Sequence, residues 1–252
     1  MADSPKLLLR QRTRIERRHT AEKSLAPVIR GKLIMSNNPS EHKSQHVQEP
    51  EVNGNSSIQG VLKWIDIQSR LSDWDGPYGI DWGELEFAMG YVLTMPKNPI
   101  FLELGTCHGR TLAALAIIAE DKEGIAVGVD DFRLMGCALE VRTLLDAHKI
   151  DYYILHTSNT HDLPWHYPID TLIIDGGHDE YNVSEDIKKY VPFVKPGGIV
   201  FIHDYDEPFI PTSAHWAVRF YIDKVCANDE NWIDLGQSHG LKGWRRREVE
   251  NG

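Results

Sequence analysis

The spacing of apolar residues divides the chain into a patternless start, a helical stretch and a long strand–helix alternation. Residues 36–57 are Asn, Ser, Glu, His, Gln and Pro with few apolar positions, the composition of a linker. Helical spacing begins at Ile58. Ile58, Val61, Leu62, Ile65 and Leu71 recur at helical intervals and predict a helix. Trp74-Asp75-Gly76-Pro77-Tyr78-Gly79 is a loop of turn formers and aromatics. A second helix is predicted over Trp82 to Leu93, with Leu85, Met89 and Val92 inward, Phe87 nearby, and Glu84 and Glu86 exposed. Pro96 and Pro99 end it.

From Ile100 the alternation is regular. Strands are predicted at Ile100–Leu104, Ile125–Asp130, Tyr152–His156, Ile169–Asp175 and Ile199–His203. Helices are predicted at Thr111–Glu120, Leu134–His148, Val183–Val191 and Ala214–Cys226. Pro196-Gly197-Gly198 reads as a turn. Trp232–Leu235 and Leu241–Arg246 read as a closing pair of strands, with Gly240 at the turn. Strands alternating with helices predict an α/β fold: a parallel sheet covered on both faces, with an antiparallel edge. No internal repeat is visible.

Composition narrows the class. The 252 residues suffice for one large domain plus a tail, and 41% apolar with 25% charged residues is ordinary for a globular protein. A formal net charge of -10 speaks against a broad nucleic-acid-binding face. That charge is uneven. Residues 1–34 hold nine Lys/Arg against three Asp/Glu, so the rest of the chain carries -16. The basic run Arg10, Arg12, Arg14, Arg17 and Arg18 fits an arm for nucleic acid or membrane, an organellar presequence, or a solvated tail. Glu16 and Asp3 weigh against the presequence, and the solvated tail is the expectation. Met35, followed by Ser-Asn-Asn-Pro, also reads as an alternative start that would make residues 1–34 an over-extended frame. The expected organisation is a disordered tail over 1–57 and a domain over 58–247, with a helical cap over 58–95. Cys107, Cys137 and Cys226 form neither a metal spacing nor a disulfide framework, so reduced thiols and a cytoplasmic location are expected. No apolar run approaches the ~20 residues of a membrane span.

The densest chemistry lies where the first strand ends. Phe101-Leu102-Glu103-Leu104-Gly105-Thr106-Cys107-His108-Gly109-Arg110 is a strand, a tight loop and a helix start. Such a junction is where a nucleotide-like ligand sits in an open α/β sheet. A dinucleotide site wants G-x-G-x-x-G, and the glycines here, Gly105 and Gly109, fit that poorly. The next strand ends at Asp130, in Gly128-Val129-Asp130-Asp131-Phe132, where an acid can accept ribose hydroxyls. Further on come Ile173-Ile174-Asp175-Gly176-Gly177-His178 and Pro196-Gly197-Gly198-Ile199-Val200-Phe201-Ile202-His203-Asp204-Tyr205.

The loop resembles that of class I S-adenosylmethionine-dependent methyltransferases, acid-x-Gly-x-Gly-x-Gly. Glu103, Gly105 and Gly109 match it, and Cys107 stands at the middle glycine. The Ile-Asp-Gly-x-His and Pro-Gly-Gly…His-Asp segments resemble a branch of small-molecule O-methyltransferases acting on sugar and natural-product hydroxyls, some of them magnesium-dependent. The resemblance spans about residues 80 to 245. It implies a Rossmann-like methyltransferase sheet, mostly parallel and seven-stranded, and S-adenosyl-L-methionine as cofactor. Glu103 would pair with its amino group, Gly105, Thr106, Cys107 and Gly109 would bring backbone to it, and Asp130 would take its ribose. His108 and Arg110, at the helix start, would touch the cofactor or a substrate anion.

Asp175 and Asp204 end adjacent strands beside that loop, where two carboxylates could hold Mg2+ and lower the pKa of a bound hydroxyl. Tyr205, at a position that often supplies a further ligand in related enzymes, is a poor one. His178 is placed to accept the hydroxyl proton, making His178 and Asp175 the catalytic candidates. His203 is expected to pack or hydrogen-bond at the strand end. The partner expected is a small hydroxylated acceptor, with no nucleic acid and no membrane; a homo-oligomer is left open. The competing functions are a catalytically silent S-adenosylmethionine-binding module and an NAD-linked oxidoreductase.

Overall fold

Seven strands make one sheet in the order β3-β2-β1-β4-β5-β7-β6. The computed structural model describes residues 58–74, 79–133, 136–205 and 215–248. The expectation of a disordered tail over 1–57 lies outside them, as do residues 75–78 of the aromatic loop, Leu134 and Ala214.

The strands are β1 (Ile100–Leu104), β2 (Ile125–Val129), β3 (Tyr153–His156), β4 (Ile169–Ile174), β5 (Val194–Ile202), β6 (Trp232–Ser238) and β7 (Leu241–Arg246). The helices are α1 (Ile58–Arg70), α2 (Trp82–Val92), α3 (Arg110–Asp121), α4 (Ala138–Ala147), α5 (Glu180–Tyr190) and α6 (Trp216–Ile222). β1 pairs parallel with both β2 and β4, and β4 pairs parallel with β5. β7 runs antiparallel to β5 and to β6, so the reversed strand lies one in from the edge and β6 closes the sheet. After β3 the chain returns across β1 to lay down β4. The strand order therefore reverses between β1 and β4, and ligands of open α/β sheets bind at the carboxyl ends flanking such a reversal.

Burial explains the elements. β4 is buried at every position, as a central strand covered on both faces should be. α3 is buried from Thr111 to Ala119, because an Ala/Leu/Ile helix apolar all round must be enclosed. α2 starts on Asp81, whose side chain accepts from Glu84 N while Glu84 accepts from Asp81 N.

Three expectations change, and the first helix settles a face that the spacing left open. α1 buries Trp64, Ile67 and Leu71, while Val61, Leu62 and Ile65 are exposed. The helix carries apolar groups on two faces, and the face with the indole, which meets Trp82 edge-on at 6.2 Å, turns inward. Glu84, expected in solvent, is buried. Pro196-Gly197-Gly198 is an irregularity inside β5 rather than a turn before it: Ile169 pairs with Val194, and the register shifts before Thr171 meets Ile199. The last helix ends at Ile222 and passes into a π-turn over Asp223–Ala227. No helix among the described residues is long and apolar enough to cross a membrane.

Candidate active site

The loop after β1 is shaped by backbone constraints. Gly105 has φ +89, and a Cβ there would stand 2.1 Å from the Asp175 carbonyl oxygen. Gly109 has φ +82, and a Cβ would meet Val141 Cγ1 at 2.6 Å. Both sites admit glycine alone without displacing a neighbour. Cys107 lies between them with φ +47, a left-handed conformation that costs a side-chain-bearing residue roughly 1–2 kcal/mol. The conformation is held by Asp130. Its Oδ2 accepts from Cys107 N at 2.8 Å and its Oδ1 from Phe132 N at 2.6 Å. Asp131, by contrast, turns to Arg133. Asp130 is thus the acid that reaches the loop.

A cleft opens here, lined by Gly79, Ile80, Glu103, Gly105 to Thr111 and Asp175. Glu103 is 1% exposed, and its Oε2 has no hydrogen-bond partner. Burial, with Asp175 nearby, pushes its pKa well above the ordinary carboxylate value. A buried acid with an open acceptor and unfavourable acidic neighbours is suited to a cationic ligand group. Thr106 is buried beside it. His108 and Arg110 line the cleft as well: the His108 carbonyl accepts from Trp74 Nε1 at 2.9 Å, and Arg110 bonds the Ile80 carbonyl and stacks over Trp82. Burial raises the Cys107 thiol to about 11.

Next to the cleft, the ends of β4 and β5 bring Asp175, His178, His203 and Asp204 together. His203 Nδ1 lies 2.9 Å from Asp175 Oδ1 and 3.2 Å from Asp204 Oδ2. Its Nε2 lies 3.2 Å from Glu84 Oε2. Asp204 Oδ2 is 2.7 Å from His178 Nε2, and Asp204 Oδ1 is 3.5 Å from His215 Nδ1. The His178 and His215 rings are 4.7 Å apart. Burial opposes a charge on His203, but its three carboxylate partners outweigh it and push the pKa up to about 12. Asp204 is held well below its usual value by His178 and His203, against burial. Asp175 moves the other way, because its burial outweighs the pull of His203. The Asp204 hydrogen bond raises His178, with burial opposing.

The predicted residues thus fall into two adjoining groups. Glu103, Gly105, Thr106, Cys107, Gly109 and Asp130 build the loop side; Asp175, His178 and Asp204 build the acid–histidine side; Asp175 borders both. Tyr205 turns away, packs on Trp244 and donates its hydroxyl to Asp223. Tyr181 is exposed. The sequence reading missed Glu84 and His215, and gave His203 only packing or a hydrogen bond at the strand end. Glu84 had one local signal, the Asp81-x-x-Glu84 capping pattern; His215, eleven residues past Asp204, had none.

Comparison with known proteins places the fold. Residues 102–205 match a family model described as a methyltransferase domain. No curated protein matches. Several solved structures share the fold. The cofactor-bound Rv0187 protein from MTB has TM-score 0.56 and 13% identity, covering 80% of this chain and all of that one. A putative methyltransferase of Streptococcus mutans, SMU.1697c, in complex with SAH, has TM-score 0.52 and 15% identity, covering 67% of this chain and 99% of that one. CalS11, a TDP-rhamnose 3'-O-methyltransferase of calicheamicin biosynthesis, has TM-score 0.50 and 16% identity, covering 79% and 99%. With residues 102–205, β1 to just past β5, matching a methyltransferase domain, and with its loop and strand-end acids on that sheet, this chain has the Rossmann-like methyltransferase fold.

Proposed function

We propose that the protein methylates a hydroxyl group of a small molecule, such as a sugar or a natural product. The observation that carries this is the His178–Asp204 pair, 2.7 Å apart and beside the loop cleft. S-adenosylmethionine, when bound, supplies an electrophilic methyl group. The protein must then place an acceptor oxygen in line with that methyl and remove its proton.

The loop side fits the cofactor. Glu103 offers its open oxygen to the ammonium group. Asp130 keeps acceptor capacity for ribose hydroxyls beyond its two backbone bonds, since a carboxylate has about four lone-pair sites. Gly105, Thr106, Cys107 and Gly109 give the close backbone approach. On the other side, Asp204 Oδ2 pairs with His178 Nε2 and leaves Nδ1 to accept the hydroxyl proton, the orienting role that a carboxylate plays for a catalytic histidine. Asp175 and Asp204 share the positive ring of His203. A magnesium ion prefers oxygen ligands, and here an imidazole nitrogen stands between the two acids. The reading therefore assigns the charge between them to His203.

A screen of sugars and hydroxylated metabolites with methyl-labelled S-adenosylmethionine, with and without magnesium, tests the reading. The expected result is label on an acceptor oxygen without added metal. Strict dependence on magnesium after chelation would return Asp175 and Asp204 to metal ligation. Calorimetry should show S-adenosylhomocysteine binding and no NAD binding; the reverse pattern would sink the reading. Binding without turnover across the screen would favour a silent cofactor-binding module.

A further inference from the structure

Glu84 lies outside the matched domain, on the helical cap, and the reaction as described does not use it. Its capping-box role is visible: Glu84 N donates to Asp81 Oδ1 at 2.8 Å, and Asp81 N donates to Glu84 Oε2 at 2.7 Å. A glutamine serves that box equally well. A helix start of this kind normally stands in water, yet Glu84 is 4% exposed. Burying a carboxylate costs several kcal/mol unless it is paired and hydrogen-bonded. Both conditions are met. Oε1 accepts from Gly240 N, in the β6–β7 turn, at 2.8 Å, and Oε2 faces His203 Nε2. The cap helix, the closing hairpin and the end of β5 therefore converge on one carboxylate.

His203 joins Glu84 to the reacting side. Its two ring nitrogens face opposite ways, Nε2 to Glu84 and Nδ1 to Asp175 and Asp204. Asp204 in turn holds His178. Resting on the methyl-transfer reading above, we propose that Glu84 is a positioning residue for the transfer: by taking His203 Nε2–H it aims Nδ1 of that ring at Asp175 and Asp204, and so fixes the carboxylate that orients His178. Carboxylates behind histidines act this way at metal sites, setting the tautomer and the ring plane. Here the histidine bridges two acids instead. Glu84 is buried and Asp175 and Asp204 are half-buried, which makes the arrangement sensitive to loss of any one partner.

The test uses the full-length protein labelled with 15N-histidine, with ring signals assigned through His178→Gln and His203→Gln. In the wild type, the His203 Nε2–H should exchange slowly with water. In Glu84→Gln it should be lost, the His178 ring nitrogens should shift, and S-adenosylhomocysteine affinity by calorimetry should stay unchanged. Asp81→Ala removes the cap acceptor together with its 2.7 Å contact to His239, and leaves the Glu84 carboxylate in place; it should lower Tm and leave the His178 signals in place. Unmoved His178 and His203 signals in folded Glu84→Gln, whatever its Tm, would reduce Glu84 to a helix cap and overturn the proposal. Should Glu84→Gln fail to fold, the wild type decides: a His203 N–H exchanging as fast as that of exposed His166 overturns it. Failure of the wild type to bind S-adenosylhomocysteine would instead strike the methyl-transfer reading, and the positioning role with it.

Discussion

The loop side and the acid–histidine side of this cleft are built by different physics. The loop from Glu103 to Gly109 is made within one turn of chain, by φ angles that few residues tolerate, and one distant side chain, Asp130, ties it down. The cluster at the ends of β4 and β5 is made of side chains from four parts of the sequence. Its central bond, His203 to Glu84, spans 119 positions, and the Glu84 bond to Gly240 spans 156. A loop of this kind fails when backbone geometry fails. A cluster of this kind fails when one charge is left without its partner, because the others then sit buried and unpaired. Cofactor affinity should therefore follow the loop, and turnover should follow the cluster.

The widest separation should come from His178→Ala. Removing the proton acceptor is expected to lower turnover roughly 10²–10⁴-fold, the usual worth of general base catalysis, while S-adenosylhomocysteine still binds. Steady-state rates beside calorimetry check both halves. The same residue sets a pH dependence. Asp204 favours the protonated ring, so His178 becomes a free base only above the ordinary histidine value of 6.5. Turnover should rise with pH through a midpoint above that value. Asp204→Asn should move the midpoint down as well as reduce the rate. A flat profile in the wild type would remove His178 as the base.

Asp130→Ala addresses the loop. It deletes two bonds from backbone N–H groups to a carboxylate, each worth about 1.5–3 kcal/mol. S-adenosylhomocysteine affinity should fall on the order of ten- to a hundredfold. Turnover at saturating cofactor should fall much less. Equal losses in both quantities would mean that the two sides are not separable.

Cys107→Val makes the smallest change. A β-branched side chain at φ +47 is more strained than cysteine, by about 1 kcal/mol or more, so Tm and cofactor affinity should drop modestly together. An unchanged affinity would show that the loop relaxes at this position.

The two sides also differ in how far they could be read from the residues. Glu103, Gly105, Gly109 and Asp130 follow one another at short spacings on consecutive strands, and β1 came out at its expected bounds. Asp175 and His178 were legible for the same reason, on a strand and its following turn. Glu84 was assigned to solvent because helical spacing alone puts it opposite Leu85 and Met89. Nothing local announces that β7 will bring Gly240 up to it. The spacing on α1 likewise left its inward face undecided, since either apolar face of that helix satisfied the periodicity.

Local sequence thus determined the alternation of strands and helices, the turn that only glycine can make at Gly105, and the acids that end β2, β4 and β5. Those features depend on neighbours a few residues away, where spacing and steric limits suffice. Tertiary structure alone decided that β7 lies between β5 and β6, that Glu84 is buried, and that His203 faces three acids. Those depend on which distant groups arrive at the same place, and the price of an unpaired buried charge fixes their arrangement only once they have arrived.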